Sequence, residues 1–128
     1  MKKKKICIEY PLNGTSGTII WNALGTPHGL ETWFADKVEA HTAKQYIFKW
    51  DKSEEKSATL LSMRAGNYVR FHWNDEEQGT FFELRIDYNE LTESYTLIII
   101  DFATPEEADD LKELWDSQVE RLRRLCGV

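Results

Sequence analysis

The segment Thr104-Pro105-Glu106-Glu107-Ala108-Asp109-Asp110-Leu111-Lys112-Glu113-Leu114-Trp115, running on to Arg124-Leu125-Cys126, decides the architecture. Thr104 and Glu107 have the spacing of a capping box. Pro105 stands at the first helical position, where a missing N–H does no harm. A helix of about 22 residues is predicted from there, on the order of 33 Å long. Leu111, Leu114, Trp115, Val119, Leu122, Leu125 and Cys126 share one stripe of it. Glu106, Glu107, Asp109 and Asp110 crowd its start, and Arg121, Arg123 and Arg124 its end, which complements the helix dipole. A helix with one apolar stripe needs a surface to bury it against.

Residues 36–103 supply that surface, because there the hydrophobic period is two. Val38–Thr42 is a weak strand and Gln45–Trp50 a strong one, with Tyr46, Phe48 and Trp50 on one face. A polar loop over 51–56 precedes Ser57–Arg64. Tyr68–Trp73 sets Val69, Phe71 and Trp73 against Tyr68, Arg70 and His72. In Thr80–Tyr88, Phe82, Leu84, Ile86 and Tyr88 oppose Glu83, Arg85 and Asp87, and Ser94–Phe102 closes the series. Short polar turns between these strands favour antiparallel neighbours. Before them, residues 4–10 alternate as a strand that Pro11 and Asn13-Gly14 stop. Ser16 caps a short helix over Gly17–Leu24. Gly25 ends it, and Thr26-Pro27 opens a second that runs to about Ala35. The expected fold is α+β: a strongly curved antiparallel sheet of about seven strands gripping the C-terminal helix, with two short helices after the first strand.

Composition narrows the function. The chain has 128 residues, the length of one ordinary domain spanning 1–128. A net charge of −6 argues against a nucleic-acid partner, which needs clustered basic residues on one face. Lys2–Lys5 form the only basic run and read as a solvated terminus. The longest apolar run, Leu97–Ile100, is too short for a membrane span. Glu9 and Pro11 interrupt any signal peptide, so the expected location is cytoplasmic, where the Asn13-Gly14-Thr15 acceptor triplet has no meaning. Cys7 and Cys126 lack zinc spacing and read as two small buried apolar side chains. No metal and no cofactor is expected.

The stretch Trp21-Asn22-Ala23-Leu24-Gly25-Thr26-Pro27-His28-Gly29-Leu30-Glu31-Thr32-Trp33-Phe34-Ala35 resembles the Trp-x-x-Leu-x-x-Pro-x-Gly-Leu-x-x-Trp-Phe signature of START-like, or helix-grip, proteins. Within that superfamily it is most similar to homologues of the heat-shock-chaperone ATPase activator. Element order agrees from about residue 3 to residue 126. The resemblance implies seven antiparallel strands around a C-terminal helix, often with a hydrophobic ligand cavity. Relatives include lipid carriers, hormone receptors, polyketide cyclases and chaperone activators, so the fold leaves function open.

The sixteen aromatic residues are the material of a candidate site. Trp33, Phe34, Phe48, Trp50, Phe71, Trp73, Phe82, Leu84, Leu111 and Trp115 are expected to line a cavity between sheet and helix, or else to fill the grip solidly. His28, His41 and His72 are the acid–base candidates, but no catalytic triad signature accompanies them. His41 and Asp101 are the polar groups that could face such a cavity. Asp101 interrupts an apolar strand and is either a buried carboxylate with a raised pKa or a strand-end residue bonded near the helix cap. Three functions follow as expectations. The first is binding of a small hydrophobic or amphipathic ligand. The second is a ligand-free interaction with a protein partner. The third is cyclase- or hydrolase-like catalysis, which needs a polar pair inside the cavity, such as His41 or Asp101 beside Tyr46 or Arg64.

Overall fold

The computed structural model describes residues 2–13, 16–51 and 53–128. The acceptor triplet Asn13-Gly14-Thr15 therefore lies partly outside the described residues. Seven strands form one antiparallel sheet: β1 (Lys4–Leu12), β2 (Lys37–Ala40), β3 (Gln45–Trp50), β4 (Glu54–Arg64), β5 (Tyr68–Trp73), β6 (Phe82–Asn89) and β7 (Ser94–Ala103). Two short helices, α1 (Gly17–Gly25) and α2 (Pro27–Trp33), follow β1, and α3 (Ala108–Cys126) ends the chain. The sheet order is β1-β7-β6-β5-β4-β3-β2, a meander whose last strand pairs with the first. This is the α+β helix grip that the periodicity implies.

Register aligns the inward residues in rows. Ile8 faces Ile99, which faces Leu84, which faces Val69. Phe71 faces Phe82, and a register shift between Leu60 and Ser62 bends β4 against β5. The core joins these rows to Ile20 and Leu24 of α1, Leu30 and Trp33 of α2, and Trp115, Val119 and Leu122 of α3.

Several local expectations change. β1 continues through Pro11 to Leu12, because a proline is tolerated on an edge strand. β4 begins at Glu54, since Glu54–Lys56 pair with Phe48–Trp50. β6 begins only at Phe82. The capping box at Thr104 does not form: the Thr104 carbonyl instead takes the Glu107 N–H in a preceding turn, and α3 starts at Ala108 without a side-chain cap. α2 ends at Trp33, with Phe34 as its C-cap. Leu114 and Leu125, on the predicted stripe, are more than half exposed. Cys7 is exposed rather than buried, because Ile8, Tyr10 and Leu12 take the inner face of β1. Lys3 is not freely solvated; its Nζ donates to both carboxylate oxygens of Glu76 at 2.8 and 2.9 Å.

Candidate functional site

The joint between α1 and α2 sets the site's back wall. Thr26 Oγ1 accepts the Gly29 N–H at 2.9 Å and donates to the Asn22 carbonyl at 2.8 Å. The bend brings Gly29 so close to α1 that a Cβ there would lie 1.8 Å from the Asn22 oxygen. Trp33 Nε1 donates to the Ala23 carbonyl at 2.8 Å, which locks the second helix on the first. Leu24, Leu30 and Trp33 are fully buried, so this stretch is a packing joint.

The joint delivers Phe34 into the mouth of the grip. Its ring lies 5.4–5.8 Å from those of Phe48, Trp50, Phe82 and Trp115, and 6.4 Å from that of Trp73. Its carbonyl accepts the indole N–H of Trp50 at 2.8 Å and the side-chain amide of Gln118 at 3.0 Å. One oxygen therefore ties α2 to β3 and to α3.

Outside Phe34, between the sheet and the N-terminal half of α3, lies an open cleft of about 400 Å³. Phe34, Trp50, Trp73 and Trp115 wall it, and Leu111 and Leu114 form its helix side. Its polar lining is Asp101 and Lys56 with Gln118, and Asp51 and Glu54 stand at the turn between β3 and β4. A smaller recess of about 130 Å³ shares Lys56, Trp73, Asp101 and Leu111 with it and reaches Lys3 and Glu76.

Asp101 is the chemically distinctive group. Its Oδ1 accepts the Phe102 N–H at 2.7 Å and its Oδ2 the Trp115 indole N–H at 2.9 Å. Burial pushes its pKa above the ordinary carboxylate value; the two hydrogen bonds and the charges of Lys3 and Lys56 only partly oppose this. Asp101 thus combines parts of both sequence readings: near the end of β7 it takes a backbone N–H, and it is a desolvated carboxylate, but its helix partner is Trp115, two turns into α3 rather than at the cap. Lys56 Nζ lies 4.5 Å from the Trp73 ring centroid and 3.8 Å from Asp75.

Of the residues named from sequence, Phe34, Trp50, Trp73, Asp101, Leu111 and Trp115 come together at this cleft. Trp33, Phe48, Phe71, Phe82 and Leu84 are buried behind it, at 0–1% exposure, where they pack as solid core. His41 is exposed in the turn after β2, with Nε2 3.5 Å from Glu39. His28 is exposed near Glu31, and His72 sits on the convex face with Nδ1 2.8 Å from the Thr80 carbonyl. Tyr46 is buried against Phe48 and Phe71, and Arg64 is exposed, so neither joins Asp101. Among the described residues no three His, Cys, Asp or Glu side chains gather as metal ligands. Sequence reasoning missed Lys56 and Gln118. Lys56 shares the inward parity of Ala58, and Gln118 lies one helical turn beyond Leu114 and Trp115, so both carried a signal.

A family model described as a START-like superfamily domain matches residues 1–128. A solution NMR structure from Bacteroides fragilis is similar at 54% identity and TM-score 0.69, covering 98% of this chain and 93% of that one. The Aha1 dimer from Colwellia psychrerythraea is similar in fold at 13% identity and TM-score 0.70, over 96% of this chain and 93% of that one. DynU16, from the dynemicin biosynthetic locus, aligns at 16% identity and TM-score 0.77, over 94% of this chain and 46% of that one. No curated protein matches the sequence. No helix among the described residues is long and apolar enough to cross a membrane.

Proposed function

The chain belongs to the START-like superfamily, and on that premise we propose that it binds a small amphipathic ligand in the cleft between sheet and C-terminal helix. The observation that carries this is the placement of a strongly aromatic opening at the mouth of the grip. The inner rings of Phe48, Phe71 and Phe82 are buried against one another, while the mouth keeps about 400 Å³ walled by Phe34, Trp50, Trp73 and Trp115. That volume, with aromatic walls and a set of polar groups to orient a ligand, is in the range of small-molecule sites. The ligand lies against the mouth rather than inside the sheet, so it has one solvent-facing end. Native mass spectrometry of the protein from its own host, with tryptophan-fluorescence titration of the delipidated protein, tests this. A co-purifying small molecule that Trp73→Ala releases is the expected result. Absence of both bound mass and any quenching by aromatic amphiphiles would sink it.

A second reading has its own observation. Ile19 and Leu125 are exposed and border one groove between α1, α2 and the end of α3. That apolar surface suits a protein partner without ligand. Ile19→Glu would abolish a pull-down partner on this reading and leave the cleft's ligand in place. The cytoplasm is the proposed location, consistent with the exposed free thiol of Cys7.

A further inference from the structure

We propose that the ligand of the cleft carries an organic ammonium group, held between the tryptophan faces and Asp101; this rests on the cleft being the binding site. Three features of the lining point there. First, four of the lining residues are aromatic, and the face of an aromatic ring attracts cations through its quadrupole. The Lys56 ammonium already rests 4.5 Å from the Trp73 centroid, so this wall does accept positive charge. Second, Asp101 is a desolvated carboxylate whose two oxygens each take one N–H. Among the described residues no ammonium or guanidinium lies within 4 Å of it, and a carboxylate has acceptor capacity for more than two bonds. Third, the described charges lining the cleft are Asp51, Glu54 and Asp101 against Lys56 alone. An anionic head would face three carboxylates there. A neutral ligand would leave Asp101 with only the charges of Lys3 and Lys56, neither within 4 Å of it. A cation answers the carboxylate and the rings together, and Lys56 stands in the place of a competitor that the ligand displaces from Trp73.

The test compares three probes of one shape: 4-phenylbutyltrimethylammonium, its neutral tert-butyl isostere, and 5-phenylpentanoate. Binding is read by calorimetry and tryptophan emission. The ammonium should bind about tenfold more tightly than the isostere, and the carboxylate most weakly. Asp101→Asn should lower the ammonium-to-isostere ratio about threefold, the remaining preference coming from the rings. Lys56→Met should tighten the ammonium alone. If Asp101→Asn fails to fold, the wild-type ratio is followed as pH falls. It should decline as Asp101 takes up its proton, against a background of Lys3 on the N-terminal segment, Lys56 on β4, Trp115 and Leu111 on α3, and Glu107, Asp51 and Glu54 nearby. Equal binding of ammonium and isostere, or a preference undiminished by both Asp101→Asn and acid, overturns the proposal while leaving the cleft a binding site. Failure of all three probes overturns the cleft reading itself.

Discussion

Gly29 shows how much one missing methyl group can decide. With the Asn22 carbonyl oxygen 1.8 Å from where a Cβ would stand, and two further backbone atoms within 2.8 Å, no side chain can yield. Gly29→Ala is expected to cost about 3 kcal/mol, measured as a shift in the urea midpoint at unchanged slope. A glycine inside a Pro-x-Gly-Leu stretch is visible in the sequence, but the atom that forbids its replacement belongs to another helix and is not. Asp101 makes a different prediction. Its folded-state pKa is raised, so the folded protein holds this proton more tightly than the unfolded chain. The resulting stability is fully present below the unfolded carboxylate value and is lost as pH rises through the folded one. Wild-type protein should therefore gain stability relative to Asp101→Asn as pH falls across that interval. Parallel urea curves from pH 7 to pH 3 check it, and a pH-independent difference refutes it. The alternation of its strand put Asp101 on the inward face, beside Leu97 and Ile99. Its partner Trp115 comes from the facing helix, and no local pattern names that pairing.

At the scale of elements, the outward face of β5 and β6 holds the least expected feature. Glu83 sits on the polar parity of its strand and yet is 1% exposed. Arg70 reaches it with Nε and Nη2 at 2.8 Å, and Arg85 Nε lies 3.0 Å away. Each guanidinium stacks on a ring, Arg70 over Phe81 at 4.3 Å and Arg85 over Tyr68 at 4.6 Å. The arginines form a lid that turns a solvent-facing strand position into an interior one. Replacing both with methionine would strand the carboxylate. It should cost about 3 kcal/mol, the low end for a broken buried pair, because both arginine side chains are about a third exposed and partly screened by water. Glu83→Gln should cost less, about 1–2 kcal/mol. The double variant proving no worse than Glu83→Gln would contradict this account. Strand identity was readable from period two for the strong strands, and β3 and β5 matched to the residue. Boundaries failed where pairing overrode composition: Glu54–Lys56 look like loop, but β3 offers them partners, and that extension carries Lys56 into the cleft.

For the whole molecule, the balance lies between a filled grip and an open mouth. Phe34 touches both, since its ring packs on the core side and borders the cleft. Phe34→Ala should destabilise by about 3–5 kcal/mol and extend the cleft inward. The variant should accordingly bind indole-sized compounds that wild type excludes, read by calorimetry; a collapsed, non-binding variant of native fold would argue against this. The overall architecture was legible because three signals agreed: the stripe of α3, the alternating strands, and the tandem short helices. The site was half legible, because parity assigns a ring to the inner face without saying whether it meets another ring or an empty space. The pairing of β1 with β7 has one more consequence. Ile8 takes its backbone partner from Ile99, about ninety residues further along the chain. At about 5–20 residues per second, synthesis leaves β1 waiting on the order of 5–20 s for that partner. Until then Ile6, Ile8 and Tyr10 lie on an unsatisfied strand, so the meander of β3 to β6 can assemble from neighbouring hairpins while β1 docks late. The newborn chain thus passes through an interval in which its first strand has no backbone partner, and the sheet is completed only when the last strand arrives.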